Sequence, residues 1–252
     1  MLKKRIIPVL LLKEGRMVKG KQFNNFRDVG NPITAAKVYN AQKVDELVFL
    51  DIEPSPSSRS KVRSIIKEVA QECFMPLTIG GGIKSADDIQ ELLSIGADKV
   101  AINSVAVKNP DFIKQSAGLF GNQCIVVSVD YKSDLNNKRN VYIHSGKEKT
   151  KLDPIDHIKK CVALGAGEIL LTNIDHEGEM TGYDLDFLKY VVSQVNIPII
   201  ASGGAGTLDD FYKAFTVADV SAVSAGSIFH FTDQSPIKSR FYLKNHNINV
   251  RV

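Results

Sequence analysis

The sequence predicts one (β/α)8, or TIM, barrel spanning residues 1–252, and three observations lead to this prediction. Eight short apolar runs recur along the chain, helical patterns lie between them, and the two halves of the chain resemble each other. Apolar runs without alternation are typical of strands buried on both faces. Parallel strands need helical crossovers, and eight such units in about 250 residues fit a barrel. A doubly wound open sheet is the alternative fold.

The predicted strands are runs of aliphatic and β-branched residues. They cover residues 6–12, 47–52, 77–79, 100–102, 125–129, 169–172, 199–201 and 222–224. The predicted helices begin at capping signals, because a capping side chain followed three residues later by an acid satisfies the free N–H groups of a helix start. Ser85 with Asp88 and Thr207 with Asp210 have this spacing. Further helices are predicted at 35–40, 59–72, 111–120 and between Asp153 and Gly165.

An internal duplication is visible in the repeated segments. Pro76–Gly82 resembles Pro198–Gly204, and Glu46–Leu50 resembles Glu168–Thr172 at the same spacing. The spacing is far longer than a solenoid repeat, so it predicts two similar half-barrels, roughly 1–120 and 121–252. The polar stretch 133–151 is predicted as an inserted loop or small hairpin on the catalytic face.

Composition narrows the possible partners and compartments. The 252 residues carry 32 basic and 28 acidic side chains, a net charge of +4 that is too small to indicate nucleic acid but suits a phosphorylated small molecule. The three cysteines do not make a disulfide framework and are expected to fill core volume. The apolar run at 6–12 is too short for a membrane span, and no signal-peptide cleavage site follows it. We therefore expect a cytoplasmic protein without a membrane segment.

Glycine and hydroxyl residues follow four of the predicted strands, where the working residues of a barrel lie. Gly80–Gly82 and Asn103–Ser104 end the third and fourth strands, and Gly203–Gly204 and Gly226–Ser227 end the seventh and eighth. Glycine lets a phosphate approach the backbone, and N–H and hydroxyl groups can then bind its oxygens. Two clusters related by the half-repeat predict a substrate with a phosphate at each end.

Asp130 is the strongest candidate for acid–base chemistry, because it follows an apolar strand that would place it at the barrel mouth, where partial burial raises a carboxyl pKa. The duplication puts Leu11 opposite it, so a facing pair of carboxylates lacks one member. Asp51 and Asp175 could orient substrate or could be structural. The five histidines have no metal-ligand spacing, and neither a metal nor a cofactor is predicted.

These residues lie in motifs that resemble the cyclase (HisF-type) subunit of imidazole glycerol phosphate synthase. The resemblance covers nearly the whole chain. Its motifs are Lys4–Ile7, Gly15–Gly20, Asp45–Ile52, Gly80–Ile83, Gly96–Val100, Gly165–Thr172, Ile200–Gly206 and Phe229–Phe231. It implies a barrel that binds a bis-phosphorylated ribulosyl substrate at its top and receives ammonia at its base from a docked class I, HisH-like glutaminase.

The resemblance also implies roles for individual residues. Phosphate-binding positions carry over to Gly82, Asn103, Ser104, Gly178, Gly204, Gly226 and Ser227. The ammonia gate carries over to Arg5, Glu46, Lys99 and Glu168. Independently, four charged residues at the starts of the first, second, fourth and sixth strands can form a closed ring of opposite charges. The alternative for these four residues is that they only stabilise the barrel floor.

One departure from the family pattern divides the functional hypotheses. The family has a catalytic aspartate at the end of the first strand, where this chain has Leu11, whereas Asp130 is kept. This favours a paralogue group in surface-polysaccharide clusters, in which the barrel and its glutaminase supply ammonia to a separate amidotransferase that makes acetamidino sugars. The alternatives are a histidine-pathway cyclase that works without the aspartate, and a non-catalytic scaffold that activates the glutaminase.

Overall fold

Eight parallel strands close into a barrel in the computed structural model, which describes residues 3–251. The strands, in chain order, are β1 (Arg5–Lys13), β2 (Arg16–Lys21), β3 (Asn24–Gly30), β4 (Leu47–Asp51), β5 (Leu77–Gly80), β6 (Lys99–Ile102), β7 (Ile125–Ser133), β8 (Arg139–Ile143), β9 (Glu148–Lys149), β10 (Glu168–Asn173), β11 (Ile199–Ser202) and β12 (Ala222–Ala225). The barrel strands β1, β4 to β7 and β10 to β12 pair in parallel in that order, and β12 pairs with β1. This closure confirms the (β/α)8 barrel and excludes the open sheet.

Helices connect the barrel strands. They are α1 (Pro32–Ala41), α2 (Pro56–Glu72), α3 (Ala86–Ser94), α4 (Ser104–Lys108), α5 (Asp111–Phe120), α6 (Pro154–Ala163), α7 (Leu185–Gln194), α8 (Leu208–Thr216), α9 (Ser227–Phe231) and α10 (Pro236–Asn245). Ser85 with Asp88 and Thr207 with Asp210 form reciprocal capping boxes, as predicted. The sequence prediction omitted α7 and α10, although Asp184 and Ser235 cap them.

Two apolar clusters pack on the two faces of the barrel wall. The larger cluster lies between strands and helices and includes Leu10, Phe49 and Ile66. The smaller cluster fills the barrel interior, where successive strands contribute inward-facing aliphatic side chains: Ile7, Val9, Leu11, Val18, Val48, Ala101, Val126, Leu170, Ile200 and Ala222. Burial on both faces explains why these strands read as continuous apolar runs.

Two sets of antiparallel strands extend the barrel at its mouth. β1 runs into the β2–β3 hairpin, and β7 runs into β8 and β9 within the inserted segment 133–151. The first and fifth barrel strands therefore carry similar extensions. This similarity is consistent with two half-barrels that meet at about residue 120. The division into half-barrels stays a prediction.

Between residues 3 and 251, no helix is both long enough and apolar enough to cross a membrane. Cys73, Cys124 and Cys161 are all free thiols, and Cys73 and Cys161 are buried in the larger core cluster. Burial raises the pKa of the Cys161 thiol to about 12, so this cysteine is unreactive and serves packing.

Candidate functional site at the barrel mouth

A cavity of about 940 Å3 opens at the carboxyl ends of the barrel strands. It brings together the mouth residues that the sequence singled out, namely Leu11, Gly82, Asn103, Ser104, Asp130, Gly178, Gly204, Gly226 and Ser227. A cavity of this size can hold a small molecule with two charged ends. Its position agrees with the location of active sites in barrels of this type.

The first end of the cavity is built around Gly82 and the start of α4. Gly82 has φ +67°, and a Cβ there would lie 2.6 Å from the Cβ of Pro54, so this position requires glycine. The Arg59 guanidinium donates to the Gly82 carbonyl and pairs with Asp88 at 3.3 Å. Ser104 donates to Asn103 Oδ1 at 3.3 Å. This end therefore combines exposed backbone with hydroxyl and cationic groups.

The second end lies across the mouth, at Gly204, Gly226 and Ser227. Gly204 has φ +120°, and a Cβ there would collide with the Gly182 carbonyl oxygen. The Ser227 hydroxyl is buried and has no hydrogen-bond partner among residues 3–251. A buried hydroxyl left unsatisfied in a cavity wall costs free energy and is a position where a ligand oxygen fits.

Lys19 is a site residue that the sequence analysis missed. It is 4% exposed, and its ammonium forms an ion pair with Glu177. A Cβ on Gly226 would lie 3.5 Å from the Lys19 Nζ, so the amine lies beside the second end. Burial lowers the pKa of Lys19 to about 7. A bound dianion would favour the ammonium form by adding opposite charge.

Asp130 lies on β7 between the two ends. Its carboxylate accepts hydrogen bonds from Asn103 Nδ2 at 3.2 Å and Ser128 Oγ at 3.2 Å. Burial raises the pKa of Asp130 to about 7, and the hydrogen bonds from Ser128 and Thr172 only partly oppose this rise. A carboxyl with a pKa near 7 exchanges protons readily at neutral pH, as a general acid or base must.

Leu11 places an apolar side chain on the opposite wall of the cavity. It is buried in the interior cluster and lines the same cavity as Asp130, together with Val9 and Leu50. A leucine donates no proton. Among the described residues, the mouth therefore holds Asp130 without a carboxylate at the equivalent position on β1.

Three other ionisable residues near the mouth, Asp51, Asp175 and His176, are in hydrogen-bonding contact with neighbouring elements and loops. Asp51 accepts from Ser58 Oγ at 2.7 Å and from the Glu53 amide at 3.2 Å, which ties the end of β4 to α2. Asp175 accepts from the Ser133 amide at 2.8 Å. His176, half-buried, lies with its Nδ1 2.7 Å from the Gly182 carbonyl oxygen. These contacts indicate positioning of the loops around the cavity.

At the opposite end of the barrel, the four predicted gate residues form a closed ring of ion pairs. Arg5 contacts Glu46 at 2.9 Å and Glu168 at 3.1 Å. Lys99 contacts the same two carboxylates at 2.9 Å and 3.2 Å. Burial lowers the pKa of Arg5, but the two carboxylates outweigh it, and the net pKa is raised. The ring thus alternates charge around the barrel floor.

The ring is linked to the barrel interior by a hydroxyl. Thr78 on β5 donates to Glu46 Oε1 at 2.6 Å, and Glu46 is 2% exposed. Above this level, the interior cluster is aliphatic until the Ser202 and Ser224 hydroxyls near the cavity. Within residues 3–251, no group of three or more histidine, cysteine or acidic side chains could hold a metal ion.

The closed fold and its mouth define the class, a (β/α)8 barrel with a glycine-lined cavity at the carboxyl ends of its strands, where Asp130 is buried. The model of the histidine biosynthesis protein family matches residues 5–235. Three relatives, each covered over its full length and matching the whole chain, are named imidazole glycerol phosphate synthase subunit HisF. They come from Hydrogenobaculum sp. (strain Y04AAS1), at 50% identity, and from Streptococcus mutans and Petrotoga mobilis, each at 45%. The chain belongs to the histidine biosynthesis protein family, and within it to the HisF type.

Proposed function

We propose that this chain is the ammonia-using synthase subunit of an imidazole glycerol phosphate synthase, acting on a bis-phosphorylated substrate held across the barrel mouth. The proposal rests chiefly on one arrangement. Asp130, with a pKa of about 7, lies between two glycine-rich ends of one cavity. The full-length similarity to the three HisF subunits supports the histidine-pathway substrate over the acetamidino-sugar role.

In this proposal the two ends of the cavity fix the substrate by its phosphates. Gly82, Asn103 and Ser104 bind one phosphate, and Gly178, Gly204, Gly226 and Ser227 bind the other, with Lys19 supplying charge to the second. Backbone N–H groups suit this task, because they bind anions without adding a bulky side chain. The reacting part of the substrate then lies over Asp130.

Asp130 is the proton-transfer group of the proposed reaction. Its hydrogen bonds from Asn103 and Ser128 hold the carboxyl group in place while its pKa stays near neutral. The step usually assisted by a second carboxylate proceeds here without one, because Leu11 occupies that position. Loss of one member of an acid–base pair typically costs about 10²–10⁴-fold in rate. We therefore expect slow turnover.

Ammonia enters in this proposal through the barrel floor. A class I, HisH-like glutaminase docks over the ring of Arg5, Glu46, Lys99 and Glu168, and the ring opens to admit neutral ammonia. Thr78 offers the first hydrogen-bonding group inside the ring. The aliphatic interior beyond it favours uncharged ammonia over ammonium, because burying an unpaired charge is costly.

The direct test supplies purified protein with ammonium salt and the histidine-pathway substrate. The expected result is ammonia-dependent formation of imidazole glycerol phosphate, at a rate that Asp130→Asn lowers by about 10²–10⁴-fold. Asp130→Asn keeps the size of the side chain, so its secondary structure content by circular dichroism serves as the folding control. Absence of product at saturating ammonia and substrate contradicts the proposal.

Leu11 favours a second candidate function. A mouth without the β1 carboxylate suits a barrel that passes ammonia onward to a separate amidotransferase, as in acetamidino-sugar formation for surface polysaccharides. This candidate predicts that glutamine hydrolysis by the partner glutaminase is stimulated while no imidazole product forms. Co-purification of a third protein, an amidotransferase, with the barrel and glutaminase would support it. Stimulated hydrolysis without ammonia transfer to any acceptor would instead point to a scaffold role.

A further inference from the structure

A lysine and a histidine meet at the rim of the first end of the cavity. Lys108 ends the single turn of α4, four residues after Ser104, so the two side chains lie on the same face of the turn. The Lys108 Nζ lies 2.7 Å from the His144 Nε2, and both residues line the cavity. Neither residue carries a role in the functions argued above.

The segment that carries His144 is held firmly against the cavity rim. The His144 amide donates to Ser104 Oγ at 3.1 Å, and Ser145 Oγ donates to the Ile52 carbonyl at 2.7 Å. His144, Ser145 and Gly146 have φ +54°, +56° and +77°, a run of left-handed backbone that forms the turn between β8 and β9. The backbone of His144 is thus fixed relative to Ser104.

The contact pairs an ammonium group with a ring nitrogen. A lysine ammonium only donates hydrogen bonds, so in this contact Lys108 is the donor and the His144 Nε2 is the acceptor. The carboxylate of Glu148 lies 3.6 Å from the same nitrogen. One of the three N–H donors of Lys108 is occupied by the imidazole, and the two others are available to an anion.

Two neighbouring cations, Arg59 and Lys147, have acidic partners. Arg59 is engaged with the Gly82 carbonyl and Asp88, and Lys147 lies 3.9 Å from Glu53. Lys108 has an imidazole as its hydrogen-bond partner, and an imidazole carries no negative charge, so the positive charge of Lys108 is not cancelled by that contact. The charge is presented at the edge where Ser104 lies.

We propose that Lys108 is a further phosphate-binding residue at the Gly82 and Ser104 end of the cavity, and that His144 is a positioning residue that acts through it. The inference rests on the proposed function, because it takes a phosphate group as the ligand of this end. The ammonium adds a charge-assisted contact to the neutral backbone and hydroxyl donors, which makes this end prefer a dianionic phosphate over a neutral group.

The test measures phosphate binding separately at the two ends. Inorganic phosphate is titrated into the full-length protein, and NMR chemical shifts of backbone amides are followed. The amides of Asn103 and Ser104 report binding at the first end, and those of Gly226 and Ser227 report binding at the second. Lys108→Gln should weaken binding at the first end about three- to tenfold, as expected for a partly exposed charged contact, and leave the second end unchanged. Lys114→Gln removes the same charge from the exposed face of α5, outside the cavity, and serves as the control.

A double-mutant cycle tests the positioning role of His144. His144→Asn removes the imidazole yet tolerates the left-handed backbone. If His144 acts through Lys108, His144→Asn should weaken phosphate binding in the wild-type background but not in the Lys108→Gln background. Additive effects overturn the role of His144, and an unchanged affinity in Lys108→Gln overturns the role of Lys108. Wild-type protein that binds no phosphate at either end overturns the proposed function as well.

Discussion

Asp130 combines two consequences of burial, one for catalysis and one for stability. Because burial raises its pKa to about 7, the ionised base accumulates as the pH rises through 7. Product formation that requires this base should therefore rise over the same range. We expect Asp130→Asn to lower the ammonia-dependent rate by about 10²–10⁴-fold, as measured in steady-state assays between pH 6 and 8.

The same substitution should raise stability at high pH. The pKa of Asp130 in the folded protein lies above its ordinary value of 3.8, so stability is lost as the pH rises from about 4 through 7. An asparagine does not ionise and avoids this loss, which is worth about 1.4 kcal/mol per pKa unit. Urea unfolding should show Asp130→Asn more stable than wild type at pH 8, with a smaller gain at pH 5. An equal effect at both pH values would show that Asp130 has an ordinary pKa.

Leu11 limits the proposed reaction if the missing carboxylate matters. Leu11→Asp places a carboxyl group on the cavity wall opposite Asp130 and should raise ammonia-dependent product formation by at least tenfold. Leu11→Asn has a similar size without an ionisable proton and should give no gain. Enzymes typically turn over at about 10 s⁻¹. If the wild-type protein already reaches this rate, Leu11 does not limit the reaction.

The positions of two cavity residues, Lys19 and Glu177, could not be predicted from the sequence. Lys19 and Glu177 lie within polar, loop-like stretches, and periodicity does not reveal that both side chains turn into the cavity. The Ser227 hydroxyl, in contrast, was predicted at the mouth because it follows an apolar strand and repeats Ser104 in the other half. A duplicated pattern thus located the site better than single charged residues did.

At the scale of elements, the glycine turns after the barrel strands set the shape of the site. Gly204 has φ +120° and its missing side chain leaves room for the Gly182 carbonyl, so Gly204→Ala should abolish phosphate binding at the second end and lower the melting temperature. Gly118 lies in α5 with open space around it, so Gly118→Ala is a matched control and should slightly stabilise the helix. Phosphate titration and thermal unfolding measure both effects. Unchanged binding in Gly204→Ala would remove this turn from the site.

The barrel strands were predictable because burial on both faces leaves a continuous apolar run. The β2–β3 hairpin was not predicted, because β3 is largely exposed and shows no alternation of apolar and polar residues. Its shape depends on tertiary contacts, such as the hydrogen bond from the Gln22 amide to the Glu177 carbonyl at 2.7 Å, which a local pattern does not contain. Elements at the mouth, such as the β2–β3 hairpin, are thus harder to predict from the sequence than the strands that form the core.

At the scale of the whole molecule, the barrel separates a charged floor from the mouth, where we propose that phosphate groups bind. The ring at the floor is only partly exposed, with side-chain exposures of 22% for Arg5 and 17% for Lys99. Four paired charges at an axial position keep the floor closed, and their separation would open a path along the barrel axis. The family resemblance named these four residues, and their positions at strand starts independently indicated a ring, because the starts of parallel strands meet at one end of a closed barrel.

The passage of ammonia through the barrel is tested most directly by isotope labelling. The protein, complexed with a HisH-like glutaminase, receives glutamine labelled with 15N in its amide group together with excess unlabelled ammonium. Mass spectrometry then gives the 15N content of the imidazole glycerol phosphate formed. Internal transfer predicts a product labelled mainly from glutamine, and Lys99→Leu should lower that fraction while free ammonia still supports synthesis. A product whose 15N content equals that of the bulk ammonium pool, in wild type and Lys99→Leu alike, would contradict transfer through the barrel.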